Sequence, residues 1–267
     1  MAFRSTDGWL IPKPTGVERR PIAAPQLPRK VGSATLMARA RPATDRYCRS
    51  RWQFGLSGDA HNIAYSMIPL LACATGGSVL VADRSQSFQT IKREAVLAAV
   101  TDLVEHALPT ETEAVAALVD ACLEYYVRTP LLNKTTVDFE GIAETFVVDG
   151  LPQGCTLSPT LEAVTIAWLQ HNAGKPVDGV CRLTAHDDMV VVGGKLAPHA
   201  NFDIPPCDPI GGAYNTAKSI AYGASADALV QAGKAATTEP LGTIWGRPVG
   251  DIARWWGSEE HTSELQS

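Results

Sequence analysis

The amino-acid sequence predicts an α+β fold in which helices and strands follow one another in irregular order. Short runs rich in β-branched residues, such as residues 78–82, indicate buried strands. Longer stretches, such as residues 92–106, carry apolar side chains three and four positions apart, which is typical of an amphipathic helix. Since the two kinds of segment do not alternate regularly, we expect an antiparallel sheet packed on helices, and not a doubly wound parallel sheet.

The proline-rich first part of the chain is predicted to be irregular, and the first predicted helix comes after it. Prolines are frequent from Ile11 to about Pro42, and each of them removes a backbone donor that a helix or a sheet needs. Apolar residues return at helical spacing over residues 62–74, and Gly76 and Gly77 then supply a typical helix end.

The later elements are predicted from hydrophobic period and turn residues. After the strand at residues 78–82, they are helices over residues 92–106 and 111–127, a hairpin of residues 135–139 and 144–148, a helix from Ser158, strands at residues 180–185 and 189–192, and a β-like piece at residues 241–246. The strands at residues 180–185 and 189–192 flank three residues, His186, Asp187 and Asp188, so we expect a hairpin with carboxylates at its tip.

Charge is distributed unevenly along the 267 residues, whose formal net charge is −5. Residues 1–51 hold eleven Lys and Arg against three Asp and Glu, a net charge of +8, which leaves −13 for the remainder. A basic front on an acidic body suits a protein that grips phosphates with one part and holds cations with another. A basic N-terminal arm without defined structure would give the same pattern, so charge alone leaves both interpretations open.

The sequence shows no sign of secretion or of a membrane segment. The start of the chain lacks the apolar core of a secretory signal, and no apolar run is long enough to span a bilayer. The six cysteines include no C-x-x-C pair, and none has a His at the spacing of zinc ligands. We therefore expect thiols in a reducing, intracellular compartment, either nucleus or cytoplasm, and no membrane partner.

The end of the chain is interpreted separately. Residues 258–267 match the translation of a common short-read sequencing adapter, so we interpret them as a library artefact outside the fold. Residues 251–257 would then be the truncated start of a following region. We expect the natural reading frame to continue beyond Gly257, which makes the chain a fragment.

Three aspartates stand where strands are predicted to end. Asp83 follows the strand at residues 78–82, and Asp187 and Asp188 lie at the predicted hairpin tip. Carboxylates brought together at a sheet edge repel one another unless a cation neutralises them, and Mg²⁺ prefers oxygen ligands shared with substrate phosphates. Two such ions about 3.5–4 Å apart would activate a 3′-hydroxyl and stabilise a leaving pyrophosphate. Taken singly, a capping Asp and a solvated Asp-Asp turn explain these positions at least as well.

Further short patterns lie before, between and after these aspartates. In chain order the segments are Ile11-Pro-Lys-Pro-Thr-Gly16 with Arg20-Pro-Ile22, Gln53-Phe-Gly55, Asp83-Arg-Ser-Gln-Ser-Phe88, Leu151-Pro-Gln-Gly-Cys-Thr-Leu-Ser-Pro159, Ala185-His-Asp-Asp188, Asn215-Thr-Ala-Lys218 and Leu241-Gly-Thr-Ile-Trp-Gly246. In this order they resemble the successive motifs of reverse transcriptases. The long insert between the motifs at residues 83–88 and 151–159 is most similar to non-LTR (LINE-type) retrotransposon enzymes.

The resemblance implies a right-hand polymerase with fingers and palm, and with the thumb missing. Residues 1–77 would form a fingers-like basic region, and residues 78–250 the palm, with a fingers insert at about residues 92–150. The implied activity is RNA-directed DNA polymerisation, with an RNA template, a DNA primer and deoxynucleoside triphosphates as partners. The thumb and the other domains of the parent polyprotein would lie outside the chain.

The catalytic residues implied by the resemblance are three aspartates and a lysine. Asp83, Asp187 and Asp188 would bind two Mg²⁺ ions, with Mn²⁺ as an alternative. Lys218 would act as the general acid that protonates the leaving pyrophosphate.

Five further residues are implied to contact the incoming nucleotide. Lys13 and Arg20 would bind the triphosphate, because Lys offers a point charge and the planar guanidinium group of Arg suits bidentate phosphate binding. Phe88 would exclude a ribose 2′-hydroxyl by its bulk, although plain core packing is the ordinary role of such a Phe. Gln153 and Gly154 would form the loop that packs on the new base pair.

One position departs from the family pattern and keeps other functions open. Ala185 stands where the family has an aromatic residue that supports the primer–template contact. A catalytically degenerate element remnant that at most binds nucleic acid is therefore an alternative. A second alternative is the palm of an RNA-dependent RNA polymerase, although Phe88 would leave too little room for a 2′-hydroxyl.

Overall fold

The computed structural model of the chain describes residues 6–12, 19–25, 27–58, 68–69, 71–127, 138–139, 142–143, 150–244 and 247–250. The chain divides into two compact units, each built from separate stretches of sequence. Unit 1 comprises residues 1–51, 86–169 and 207–212, and unit 2 comprises residues 52–85, 170–206 and 213–267. The fingers and palm ranges given above stay predictions.

The elements of the described residues are numbered along the chain. The first are β1 (Thr6–Pro12), β2 (Arg19–Pro25), α1 (Leu27–Arg49), β3 (Ser78–Ala82), α2 (Ser87–Thr90), α3 (Arg93–Glu105), α4 (Thr112–Cys122), β4 (Asp138–Phe139), β5 (Ile142–Ala143) and α5 (Ser158–Asn172). The rest are β6 (Val180–Ala185), β7 (Asp188–Gly193), β8 (Ile220–Gly223), α6 (Ala226–Gln231), β9 (Thr237–Thr238), β10 (Leu241–Ile244) and β11 (Arg247–Gly250). A π-helical stretch, Leu123–Val127, continues α4.

The core of unit 2 is a five-stranded sheet with the strand order β6-β7-β3-β8-β9. β3 is the central strand, and it pairs antiparallel with β7 on one side and with β8 on the other. β6 and β7 form an antiparallel hairpin, whereas β8 and β9 run parallel. The predicted α+β fold with an antiparallel sheet is confirmed.

Both faces of this sheet are buried, because its strands are runs of apolar residues. On one face Val79 and Val190 belong to one apolar cluster, and on the other face Leu80 and Met189 pack with Leu229 of α6. Each fully buried side chain of this size contributes roughly 1.5–3 kcal/mol to folding. The register of the strands is therefore firmly set, since a slip by one residue would exchange the two faces.

Unit 1 contains a group of helices in which α1, α3 and α4 pack against one another. The apolar stripes that the sequence predicts are buried, with Val96 and Val100 on α3 and Val115 and Leu118 on α4 fully inaccessible. The predicted helices at residues 92–106 and 111–127 are confirmed, and so is the helix that begins at Ser158.

The prediction that residues 11–42 are irregular is wrong for the described part of that range, residues 11–12, 19–25 and 27–42. β1 and β2 form an antiparallel hairpin, and α1 runs from Leu27 to Arg49 with Pro42 inside it. A proline inside a helix costs about 3 kcal/mol or more. The packing of the C-terminal half of α1 offsets this cost, because Ala40, Ala43 and Tyr47 are almost fully buried and the Tyr47 hydroxyl donates to Asp102 of α3 at 2.5 Å. Tertiary packing therefore decides the structure here against local composition.

The end of the helix predicted at residues 62–74 is confirmed, and its beginning lies outside the described residues. Gly77 N–H donates to the Ala72 carbonyl oxygen at 2.7 Å, and Gly76 N–H to that of Cys73 at 3.1 Å. With Gly76 at φ 79°, these bonds form the left-handed helix end that favours glycine.

Two shorter predictions are confirmed in part. β4 and β5 pair antiparallel on either side of residues 140–141, whereas residues 135–137 and 144–148 of the predicted hairpin lie outside the described residues. The β-like piece at residues 241–246 is β10, which pairs with a strand that was not predicted, β11.

Two negative observations concern membranes and disulfides. Within the described part of the chain, none of the helices is both long and apolar enough to cross a membrane. The six cysteines, all of which are described, are not joined by disulfides.

Candidate active site

The three predicted aspartates lie at the same end of the unit 2 sheet. Ala82, the last residue of β3, pairs with Met189 of β7, and Asp188 at the start of β7 pairs with Ala185 of β6. Asp83 follows Ala82 and Asp188 precedes Met189, so the antiparallel register brings these two residues level with each other. The structure thus brings together positions more than one hundred residues apart in sequence.

A two-residue turn carries Asp187. Since Ala185 and Asp188 are paired, only His186 and Asp187 lie between β6 and β7. His186 has a left-handed backbone with φ 52°, which tight hairpin turns require and which His tolerates better than most residues. Asp188 is the first residue of β7, and not part of the turn as predicted.

The carboxylates influence one another electrostatically. Burial raises the pKa of the Asp187 carboxyl, and the negative charge of Asp83 raises it further. The charges of His186 and Arg84 act in the opposite direction. A site in which burial and a neighbouring carboxylate both disfavour the ionised form of Asp187 favours a bound cation, which compensates the negative charge.

Lys218 lies beside Asp83. Its Nζ is 3.8 Å from the Asp83 Oδ2, and both side chains are partly exposed. The backbone supports this contact, since Asn215 N–H donates to the Asp83 carbonyl oxygen at 2.7 Å and Lys218 N–H to that of Asn215 at 2.9 Å. The predicted motif from Asn215 to Lys218 is therefore tied to the end of β3.

The donor chemistry of this sheet end fits Mg²⁺ in one particular mode. Among the residues that the structure describes, no three His, Cys, Asp or Glu side chains are close enough to form a ready-made metal site. Mg²⁺ is commonly bound by only one or two carboxylates together with water and substrate phosphates. Asp83 and Asp187, whose charges interact, match that mode and would leave the remaining coordination positions to a nucleotide.

Three of the predicted nucleotide-binding residues, Phe88, Gln153 and Gly154, belong to unit 1. Leu151 N–H donates to the carbonyl oxygen of Phe88 at 2.7 Å, which fixes the start of the loop carrying Gln153 and Gly154 against α2. Gly150 is required at this contact, because a Cβ there would lie 2.0 Å from the same oxygen. Gly154 has φ 95°, a conformation that favours glycine.

The backbone of this loop is held by two hydrogen bonds to the Pro152 carbonyl oxygen. The Ser158 hydroxyl donates to the Pro152 carbonyl oxygen at 2.8 Å, and Cys155 N–H donates to the same oxygen at 3.2 Å. The Oε1 of Gln153 is buried and has no hydrogen-bond partner among the described residues. A buried acceptor of this kind is costly unless a ligand supplies a donor.

The remaining predicted residues have a limited structural account. Lys13 lies outside the described residues. Arg20 lies on β2 opposite Ile11, and its side chain is not described. The predicted residues therefore form two described groups, with the aspartates and Lys218 in unit 2 and Phe88, Gln153 and Gly154 in unit 1.

Sequence reasoning missed the contacts of Gln53. It was assigned only to a short segment in front of the palm, but its fully buried side chain bonds to the backbone of His186. No local pattern indicates this contact, because the two residues are 133 positions apart. Ala185, where an aromatic residue was expected, is fully buried in the apolar cluster of the sheet.

Comparison with known proteins finds similarity in structure only. No protein-family model matches the sequence, and no curated protein matches it. Apo telomerase from Candida tropicalis superposes with a TM-score of 0.60 at 11% identity, over 93% of this chain and 47% of that one. Telomerase from Candida albicans in complex with a fragment of telomeric RNA gives 0.54 at 13% identity, over 90% of this chain and 44% of that one.

A viral polymerase shares the fold as well. The RNA-dependent RNA polymerase of a human picobirnavirus gives a TM-score of 0.50 at 16% identity, over 81% of this chain and 41% of that one. The chain thus has a polymerase palm-like α+β fold, and it spans less than half the length of these structures.

Proposed function

We propose that the chain is the fingers and palm part of an RNA-directed DNA polymerase of the non-LTR retrotransposon type. The observation that carries the proposal is the convergence of Asp83 with Asp187 and Asp188 at one end of an antiparallel sheet, with Lys218 beside Asp83. The palm-like fold supports a nucleic-acid polymerase, and the order of the sequence motifs supports reverse transcription.

The residues of the sheet end bind and orient the reacting groups. Asp83 and Asp187, with Asp188 next to them as the third predicted ligand, would hold Mg²⁺, which when bound would activate the primer 3′-hydroxyl and stabilise the leaving pyrophosphate. The ammonium group of Lys218, 3.8 Å from Asp83, carries the proton that the pyrophosphate takes up. The backbone bonds from Asn215 to Asp83 and from Lys218 to Asn215 keep this proton donor near Asp83.

The unit 1 residues select the nucleotide. Phe88 rejects the ribose 2′-hydroxyl by its bulk, and the bond from Leu151 to its carbonyl oxygen keeps α2 and the Gln153 loop in register. The buried Oε1 of Gln153 accepts a hydrogen bond from the nucleotide. Lys13 and Arg20 bind the triphosphate.

The domain assignment and partners follow from the same proposal. Residues 1–77 act as fingers, and residues 78–250 as the palm with an insert at about residues 92–150. The basic first 51 residues neutralise phosphates of an RNA template and a DNA primer, a grip that weakens with salt. A thumb and further domains of the parent polyprotein complete the enzyme.

Incorporation of a single nucleotide tests the proposal. The 267-residue chain is incubated with poly(rA)/oligo(dT), labelled dTTP and Mg²⁺, and primer extension by one residue is measured. Asp83→Asn and Asp187→Asn should each abolish extension, whereas Asp203→Asn, which removes an exposed carboxylate of the same unit, should not. Extension that persists in Asp187→Asn would refute the catalytic assignment.

A polymerase remnant that binds nucleic acid without catalysis is the second candidate. The absence of a ready-made three-ligand site among the described residues favours it, as does the buried Ala185 at the expected aromatic position. Calorimetric titration with Mg²⁺ separates the two, since only a functional site gives a binding signal that Asp83→Asn removes.

An RNA-dependent RNA polymerase is the third candidate, favoured by the similarity to the picobirnavirus enzyme. Replacing dTTP by UTP in the same assay decides between this candidate and a reverse transcriptase, because in a reverse transcriptase Phe88 should block the ribonucleotide. Preferred use of UTP would reassign the chain.

A further inference from the structure

We propose that Gln53 is a positioning residue that holds the turn between β6 and β7, and with it Asp187 and Asp188, in the geometry that binds the divalent cation. This inference rests on the proposed function, which gives the turn its role as cation ligand. The resemblance implied no role for Gln53 beyond membership of a fingers segment.

Both ends of the Gln53 amide bond to one residue of the turn. Its Oε1 accepts from His186 N–H at 3.1 Å, and its Nε2 donates to the His186 carbonyl oxygen at 3.1 Å. Two opposed bonds to the same residue fix the position and the rotation of both its peptide groups. The direction in which the chain continues to Asp187 is fixed as a result.

Burial makes these bonds effective. Gln53 is fully inaccessible to solvent, and its Oε1 accepts a further bond from Gly55 N–H at 2.8 Å. Water therefore does not compete for the amide, and its orientation is fully determined by backbone donors and an acceptor. An aliphatic side chain of the same length would remove all three of these bonds to the backbone.

The backbone of the same segment is anchored to β6. Thr184 N–H donates to the Trp52 carbonyl oxygen at 2.9 Å, and Phe54 N–H donates to that of Thr184 at 2.7 Å. Trp52 adopts φ 59°, which a bulky residue rarely does and which these bonds on β6 enforce. Gln53 thus cannot slide along the strand that leads into the turn.

A close backbone approach completes the contact. A Cβ at Gly55 would lie 2.6 Å from His186 N, so only glycine allows the segment to reach the turn. The Gln53 amide and the close backbone contact at Gly55 together form a clamp on the His186 backbone.

Two glutamine variants of the whole chain test the proposal. Gln53→Met removes the clamp, and Gln170→Met is the matched control, because Gln170 is also buried and its Nε2 donates to Thr184 of the same strand without touching the turn. Amide hydrogen exchange at His186 reports the clamp. Binding of Mn²⁺, followed by the electron paramagnetic resonance of the free ion, reports the cation site, and thermal unfolding reports stability.

We expect both variants to lower thermal stability, but only Gln53→Met to alter the turn. Exchange at His186 should become roughly tenfold faster, as loss of one hydrogen bond predicts. Mn²⁺ affinity should fall about 10–100-fold, the usual effect of losing a group that orients a ligand. Should Gln53→Met not fold, Gln53→Glu keeps the acceptor for His186 N–H and, at a pH where its carboxyl is ionised, loses only the donor to the His186 carbonyl oxygen. For that variant we expect the fall in Mn²⁺ affinity without the faster exchange at His186.

Several outcomes would overturn the proposal. Unchanged exchange at His186 in Gln53→Met would show that the Gln53 amide does not hold the turn. Unchanged Mn²⁺ affinity in Gln53→Met, or in Gln53→Glu should the first variant not fold, would show that Gln53 does not position the cation ligands. Equal loss of affinity in Gln170→Met shows a general stability effect. A wild-type chain that binds no Mn²⁺, or binding that survives Asp83→Asn, instead refutes the proposed function, and the turn loses its role with it.

Discussion

The contact between Gly150 and Phe88 gives a sharp prediction for the substitution Gly150→Ala. A Cβ at this position would lie 2.0 Å from the Phe88 carbonyl oxygen, whereas real Cβ contacts essentially never fall below 3.0 Å. The two backbones must therefore separate by about 1 Å. The bond from Leu151 N–H to that oxygen, now 2.7 Å, would then be too long to count as a hydrogen bond.

The expected cost follows from this broken bond. Leu151 is fully buried, so its N–H would be left unsatisfied at a cost of about 1–3 kcal/mol. With the strain of the displaced loop, we expect Gly150→Ala to lower the free energy of unfolding by about 2–4 kcal/mol. This is a large share of the roughly 5–15 kcal/mol that stabilises a typical domain.

A matched substitution in the same unit should have the opposite sign. Gly32 lies inside α1, and a Cβ there would meet no atom within 4 Å. Gly32→Ala should therefore stabilise the chain by about 0.5–1 kcal/mol through helix propensity alone. Urea denaturation followed by circular dichroism measures both variants. Equal effects of the two substitutions, or an unchanged midpoint for Gly150→Ala, would refute the reasoning.

Three further predictions concern single side chains. Burial and the charge of Asp83 raise the pKa of the Asp187 carboxyl. A carboxyl whose pKa is higher in the folded chain than in the unfolded chain lowers stability as pH rises toward that pKa. Without divalent cations, Asp187→Asn should therefore exceed wild type in thermal stability near pH 7. That advantage should shrink as pH falls through the raised pKa of Asp187, and it should disappear once the carboxyl is protonated in both the folded and the unfolded chain; a constant difference would contradict the assignment. Tyr47→Phe should lower the free energy of unfolding by about 1–3 kcal/mol in urea denaturation, because Asp102 loses a buried donor, and no change would show that packing alone holds α1. Lys218→Met should change stability by less than about 1 kcal/mol, since its ion pair is exposed, yet slow single-nucleotide incorporation about 100-fold or more; an unchanged rate would remove Lys218 from the mechanism.

The elements that sequence reasoning predicted correctly are those whose cause is local. The β3 strand is a run of apolar residues, and α3 and α4 show their helical period within a few turns. The hairpin of β6 and β7 follows from two such runs around a short polar turn. In these cases neighbouring residues alone determine which side chains can be buried together.

Helix α1 was missed because its cause is distant. Its composition, with Pro28 and Pro42, argues against a helix, and its stability comes from partners elsewhere in unit 1. Arg46 pairs with Glu111, and Tyr47 donates to Asp102, each more than 50 positions away. A single sequence contains no signal for such pairs.

In the candidate site, too, sequence reasoning found the residues with a local signal and missed the contact between distant residues. The motifs identified Asp83, Asp187 and Lys218, and the register of the sheet brings these positions together. The roles of these residues stay predictions until they are tested. The contact of Gln53 with His186 depends on a segment that joins β6 from outside the hairpin, so only the structure reveals it.

The position of β3 at the centre of the sheet has a consequence for biosynthesis. Ala82 pairs with Met189, and Val81 pairs with Ile220, so both neighbours of β3 are translated much later than β3 itself. Until those neighbours are synthesised, the apolar residues of β3 have no strand to pair with. We therefore expect the nascent chain to fold slowly and to be prone to aggregation. Expression at reduced temperature or with chaperones should raise the yield of folded protein, because both reduce aggregation through the unpaired β3 segment.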